Sequence, residues 1–194
     1  LSSAASDVYK RQVEATGSRE DNSTTDYVAA GFVAKSNSTK INDAKVNNLK
    51  TVTSTDDGGY SGGFIGISKT GGLAEVGDET EIKKLISANG LLNAVGYLIP
   101  SYQQCYVSYV DNGGVRGDIA GGFVGDFQSG IVENDENNAY AIQNISYVKG
   151  KTYAGGFGGK VYSGALADST KGISILGGLA DLNIQISDLL SLIQ

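Results

Sequence analysis

The sequence predicts a mainly β protein, a parallel β-solenoid of about four coils with helical insertions after the second and fourth coils. Three observations predict it. A short glycine-rich motif with a fixed phenylalanine recurs four times, a segment of alternating apolar and polar residues recurs with it, and 28 glycines stand against one proline. One repeat unit cannot bury its apolar face alone, so the repeats exist to stack on each other.

The motif copies are Tyr27-Val28-Ala29-Ala30-Gly31-Phe32-Val33, Tyr60-Ser61-Gly62-Gly63-Phe64-Ile65-Gly66, Ile119-Ala120-Gly121-Gly122-Phe123-Val124-Gly125 and Tyr153-Ala154-Gly155-Gly156-Phe157-Gly158-Gly159. Stacked copies would place Phe32, Phe64, Phe123 and Phe157 in one interior column, each ring contributing about 2 kcal/mol of apolar burial. An apolar residue recurs after each phenylalanine, at Ile41, Leu73, Ile131 and Leu166. These mark a second strand of the unit.

A third strand reads as Val46-Asn47-Asn48-Leu49-Lys50-Thr51-Val52, Gln104-Cys105-Tyr106-Val107-Ser108-Tyr109-Val110 and Ile142-Gln143-Asn144-Ile145-Ser146-Tyr147-Val148. The two-residue period is that of a half-buried strand. Val13 reads as the end of the same element from an earlier unit. In this alignment Cys105 takes the place of Asn47 and Gln143, which predicts a thiol at the surface or beside a turn, and Asn48 matches Asn144. Glycines are expected to make the corners, where positive φ is needed, and the scarcity of proline keeps amide donors available for the ladders.

The second and fourth copies carry insertions, at about 77–100 and 171–194. In the first, Asp78 with Glu81 resembles a capping box, Ile82, Leu85 and Ile86 line one face, Gly90 suits a C-terminal cap and Pro100 ends the stretch. In the second, Leu179, Leu182, Ile186, Leu189 and Ile193 follow a heptad spacing. A helix this short needs tertiary support, which predicts that it lies against the open face of the solenoid. Asp181, Asn183, Gln185 and Asp188 interrupt the apolar run and argue against membrane insertion by this segment.

Residues 2–12, Ser-Ser-Ala-Ala-Ser-Asp-Val-Tyr-Lys-Arg-Gln, are similar to the translation of a transposase library adapter. On that reading residues 1–12 are an artefactual segment outside the fold. Residues 13–194 are then a single repeat domain, expected to be a fragment of a longer chain.

Chemistry is sparse. There is no histidine, which removes the imidazole base, the common zinc ligand and the Ser-His and Cys-His pairs. No enzyme is expected, and no cofactor or metal. The glycine strings lack the Lys-Ser or Lys-Thr of a phosphate loop. Acidic turns at Asp56-Asp57 and Glu133 to Glu136 are oxygen-rich enough for calcium, although solvated turn carboxylates are the ordinary reading. A net charge of −6 argues against nucleic acid, whose binding rests on clustered Lys and Arg.

The Gly121 to Gly125 core followed by Ser129-Gly130-Ile131 resembles the GLUG-type repeats of bacterial surface proteins, in which Gly-Gly-Leu-Val-Gly precedes Gly-x-Ile. The resemblance runs from Tyr27 to Asp168. Phenylalanine replaces leucine, Ala34 stands where the first copy should have a glycine, and the insertions are not part of the usual pattern. It implies a secreted or cell-surface adhesin-like protein with no catalytic residues to transfer.

The expected function is therefore a non-enzymatic stalk or presentation surface, located outside the cell or on its surface. Its partners would be neighbouring repeats and an extracellular host protein or glycan. Arg116-Gly117-Asp118 is the one tripeptide with a recognition meaning, and the glycine-rich connection around it predicts an exposed turn. The alternative is a carbohydrate-binding or carbohydrate-processing module with a tyrosine face among Tyr102, Tyr106, Tyr109, Tyr140, Tyr147 and Tyr162.

Overall fold

The computed structural model describes residues 11–16, 26–70, 99–134 and 140–162. Among them the fold is mainly β, and every strand pairing is parallel. Both predicted helical insertions lie outside the described residues, apart from Ile99 and Pro100.

Three sheets form. The largest contains β1 (Arg11–Ala15), β2 (Val28–Ala30), β5 (Lys45–Ser54), β6 (Tyr60–Gly62), β9 (Tyr106–Gly121), β12 (Ile142–Gln143) and β13 (Tyr147–Gly155). The second runs β14 (Gly158–Val161), β10 (Val124–Phe127), β7 (Ile65–Lys69), β3 (Val33–Asn37). The third runs β11 (Ile131–Glu133), β8 (Ser101–Gln103), β4 (Lys40–Asn42). Each strand lies on its counterpart from the next repeat, so each row of the molecule is one sequence repeat.

The phenylalanine column is present. Phe32 and Phe64 stack with centroids 4.7 Å apart, Phe64 and Phe123 at 5.0 Å, and Phe123 and Phe157 at 5.3 Å, all with planes within 7°. These spacings match the separation of paired strands, roughly 4.8 Å. Phe64 and Phe123 are fully buried. A second column, Val13, Val52, Val115 and Val148, follows from the register of the largest sheet and places Val13 in the ladder as expected. β1 itself starts at Arg11, within the adapter-like stretch, although its pairing is regular only from Gln12.

Register corrects several details of the sequence alignment. Val28, not Tyr27, stands opposite Tyr60, because the first motif copy is one residue longer. Ile41 pairs with Tyr102, which in turn pairs with Val132. The second-row strand of the third sheet is therefore Ser101–Gln103, after the insertion, rather than the segment at Leu73; Leu73 and Leu166 lie outside the described residues. Ile131 sits one position off that column and is exposed.

In the largest sheet Val46 faces Val107, three residues beyond the expected Gln104. The pairing then slips between Leu49↔Tyr109 and Thr51↔Gly114, where β9 carries extra residues around Asn112. Short insertions like this leave the apolar pattern intact while moving its phase.

The corners are also built differently from expectation. Only Gly58 and Gly130 among the described glycines have positive φ, whereas Ser38, Asp43, Asn48, Gln104, Asn112 and Asn144 lie at φ of 51–60°. Asn and Asp tolerate the left-handed region because their side chains bond locally. Asn48 and Asn144 are thus matched corner residues. The motif glycines serve close approach instead: a Cβ on Gly62 would overlap the Ile65 carbonyl, and one on Gly122 would overlap the Gly156 carbonyl.

Buried hydroxyls tie the sheets together. Tyr102 is fully buried, and its hydroxyl donates to Ser36 Oγ at 2.7 Å and lies 2.6 Å from Ser68 Oγ. Ser68 Oγ also donates to the Ser129 carbonyl at 2.7 Å. Ser61 Oγ reaches Ser54 Oγ at 2.7 Å and the Arg116 carbonyl at 2.8 Å. Pairing of this kind is what permits polar groups inside a core.

Candidate functional site

Arg116-Gly117-Asp118 lies inside β9 rather than on a turn. Alternation sends Arg116 and Asp118 outward and Gly117 inward, where a Cβ would strike Ser54 Oγ. The Arg116 guanidinium donates to Asp56 Oδ2 at 2.7 Å and holds the Asp56 carboxyl below its ordinary value. Asp118 accepts the Gly58 amide at 2.9 Å and the Thr152 hydroxyl. Both charged ends are engaged within the protein, so the exposed-turn geometry expected for a recognition tripeptide is not formed.

The expected tyrosine face does not form as a set either. Tyr102 and Tyr109 are interior, and the Tyr109 hydroxyl donates to the Gly122 carbonyl at 2.7 Å. Burial pushes both phenols above their ordinary value. The room that Tyr109 needs explains Gly63, because a Cβ there would overlap the phenol oxygen. Tyr106 and Tyr147 lie under Lys45 and Lys149, whose ammonium nitrogens sit 5.7 and 5.1 Å from the ring centroids. Tyr140 and Tyr162 are exposed.

Cys105 follows the Gln104 corner, close to a turn as expected, but it is fully buried rather than at the surface. Its Sγ lies 3.3 Å from the Gln103 carbonyl, and burial raises its pKa. A nucleophile needs the opposite environment.

The most reactive-looking cluster was missed by the sequence. Two ladders run along the sheets: Val28, Tyr60, Ile119 and Tyr153 on the largest sheet, and Lys35, Ile67, Asp126 and Lys160 on the second. Lys160 Nζ sits 6.0 Å from the Tyr153 ring centroid and 4.9 Å from that of Tyr162. Asp126 is 2% exposed. Its Oδ2 accepts from Gln128 Nε2 at 2.8 Å, while Oδ1 has no hydrogen-bond partner. Burial raises its pKa, against the opposing pull of Gln128 and Lys160. The signal was available only through row-to-row alignment, since these residues are far apart in the chain.

Among the described residues no three Cys, Asp or Glu side chains are grouped to hold a metal ion, and no helix is long and apolar enough to cross a membrane. Comparison of the chain with known protein families, with curated proteins and with solved structures finds no match.

Proposed function

We propose that the chain is a parallel β-solenoid segment serving as a non-enzymatic stalk or presentation surface in a secreted or cell-surface bacterial protein. The observation that carries this reading is the four-ring phenylalanine column, with its in-register parallel partners in three sheets. Stacking of one shape along an axis gives continuous backbone pairing and stiffness without disulfides or metals. Four rows at roughly 4.8 Å span only about 20 Å, so reach would come from neighbouring repeats of the same kind. The GLUG-like motif supports the extracellular setting, and the acidic chain suits a protein or glycan partner better than nucleic acid.

Three measurements test this. Small-angle scattering and hydrogen exchange on the full chain should report a compact stack with slowly exchanging amides in β5, β7, β9 and β10. Antibodies against the chain should label intact source cells; labelling only after the cells are broken open would overturn the surface assignment.

A second reading, a carbohydrate-binding surface, is favoured by the tyrosines around Lys160. Half-exposed Tyr153 and Tyr162 offer ring faces for sugar C–H groups, and Lys160 between them offers a donor. Specific retention on a glycan array that disappears in Tyr153→Ala/Tyr162→Ala would support it.

A further inference from the structure

We propose that the chain associates head to tail with a second copy of itself, the β13–β14 edge of one copy docking on the β1–β2–β3 edge of the next. This rests on the solenoid reading and extends it from repeats within a chain to separate molecules.

Among the described residues the interior phenylalanine column is exposed at both ends. Phe32 is 50% exposed and Phe157 40%, whereas Phe64 and Phe123 between them are fully buried. Ala29 and Ala120 are buried, but Ala154, at the same position in the last row, is exposed. Within the described residues β14 is paired only with β10, β3 only with β7, β2 only with β6 and β1 only with β5. Among the described residues both edges therefore carry unused backbone donors and acceptors beside apolar side chains, the usual template for strand addition.

The two edges match because they belong to one repeated pattern. Continuing the observed registers by one row puts Val13 of the second copy on Val148, Val28 on Tyr153, Ala29 on Ala154 and Val33 on Gly158. Phe32 would stack on Phe157 as the fifth ring of the column. Charge agrees at the largest sheet. The outward ladder of Glu14, Thr53, Arg116 and Lys149 would bring Glu14 of the second copy over Lys149. On the second sheet Lys35 would approach Lys160, but Lys35 already holds Asp26 at 3.1 Å, so that edge brings its own carboxylate.

Such an interface uses two different surfaces and does not close on itself, so the product is an open chain of copies rather than a fixed dimer. Its occupant is specified by register as well as by hydrophobicity. A generic apolar partner would not need the spacing of Glu14 against Lys149.

Sedimentation of the full chain over a concentration series up to about 1 mM tests it. The expected result is a mass that rises continuously with concentration. Lys149→Glu should weaken association by about tenfold, and Glu14→Lys in the same chain should restore it. Both positions are exposed, so folding is retained, and Phe32→Asp provides a second block at a half-exposed site. A chain that stays monomeric with its slow amide exchange intact would overturn the self-association and leave the solenoid reading standing. Association unaffected by Lys149→Glu and Phe32→Asp would also overturn it, while loss of slow exchange in the parent chain would overturn the solenoid reading itself.

Discussion

The rings of Phe64 and Phe123 lie 5.0 Å apart with planes 6° from parallel, although they come from separate repeats and are both fully buried. Each is held by the same bond on either side: the Phe64 amide donates to the Phe123 carbonyl at 2.8 Å, and the Phe123 amide to the Phe157 carbonyl at 2.9 Å. The column and the backbone ladder are one structure, so a ring cannot leave without disturbing the strand bend that carries it.

Phe64→Ala and Phe123→Ala should each cost roughly 3–5 kcal/mol in urea denaturation, the range for a large core aromatic. Phe32→Ala, at the half-exposed end, should cost about 1 kcal/mol. Equal losses at all three positions would contradict a column with open ends.

The glycines of the motif give a sharper contrast. Gly122→Ala should destabilise by at least about 2 kcal/mol, because the new methyl meets the Gly156 carbonyl and backbone must shift. Gly156→Ala, at the equivalent position one row on, has nothing within 4 Å and should change stability by no more than about 0.5 kcal/mol. Thermal or chemical midpoints of the two variants decide the matter directly.

Tyr102→Phe keeps the ring and removes the hydroxyl that links Ser36 and Ser68. Ser68 retains the Ser129 carbonyl, but Ser36 Oγ loses the hydroxyl that donates to it in the interior. The expected loss is about 1–3 kcal/mol, with amide exchange quickening in β3 and β7.

Asp126 sets a pH dependence. Burial raises its folded pKa above the ordinary 3.8, so the folded state holds the proton more tightly than the unfolded one. Stability from this group is therefore greatest below 3.8 and falls as pH rises through the folded value. Asp126→Asn should be more stable than the parent at pH 7, with the two converging as the pH drops below about 4. A constant difference across that range would show that ionisation of Asp126 is not the cause.

The larger features were legible because they repeat. Four phenylalanines at matched places can satisfy burial only by stacking, and the apolar residues Val46, Leu49 and Val52 are the ones that face in, although they lie three apart rather than alternating. Cys105 shows where that legibility stops. Its alignment with Asn47 placed it at the surface or beside a turn; it does follow the Gln104 corner, but the true partner of Val46 is Val107, and a shift of three residues carried the thiol into the core. A pattern of period two has no memory of small insertions, so it gives the face of a strand more securely than its phase.

The turn expected at Arg116-Gly117-Asp118 does not form, for a related reason. Its glycines suggested a turn, yet Gly113, Gly114 and Gly117 are inside β9 because neighbouring rows press against them, as Tyr147 does against Gly114. By itself the amino-acid order determined that rows of one shape would stack in parallel about a phenylalanine column, since repetition and apolar spacing are properties of the chain. The three-dimensional fold decided which residues turn the corners, where Tyr102 and Cys105 are buried, and how Asp126 comes to lie opposite Lys160. Those outcomes depend on contacts between rows, which form only when distant segments come within bonding distance.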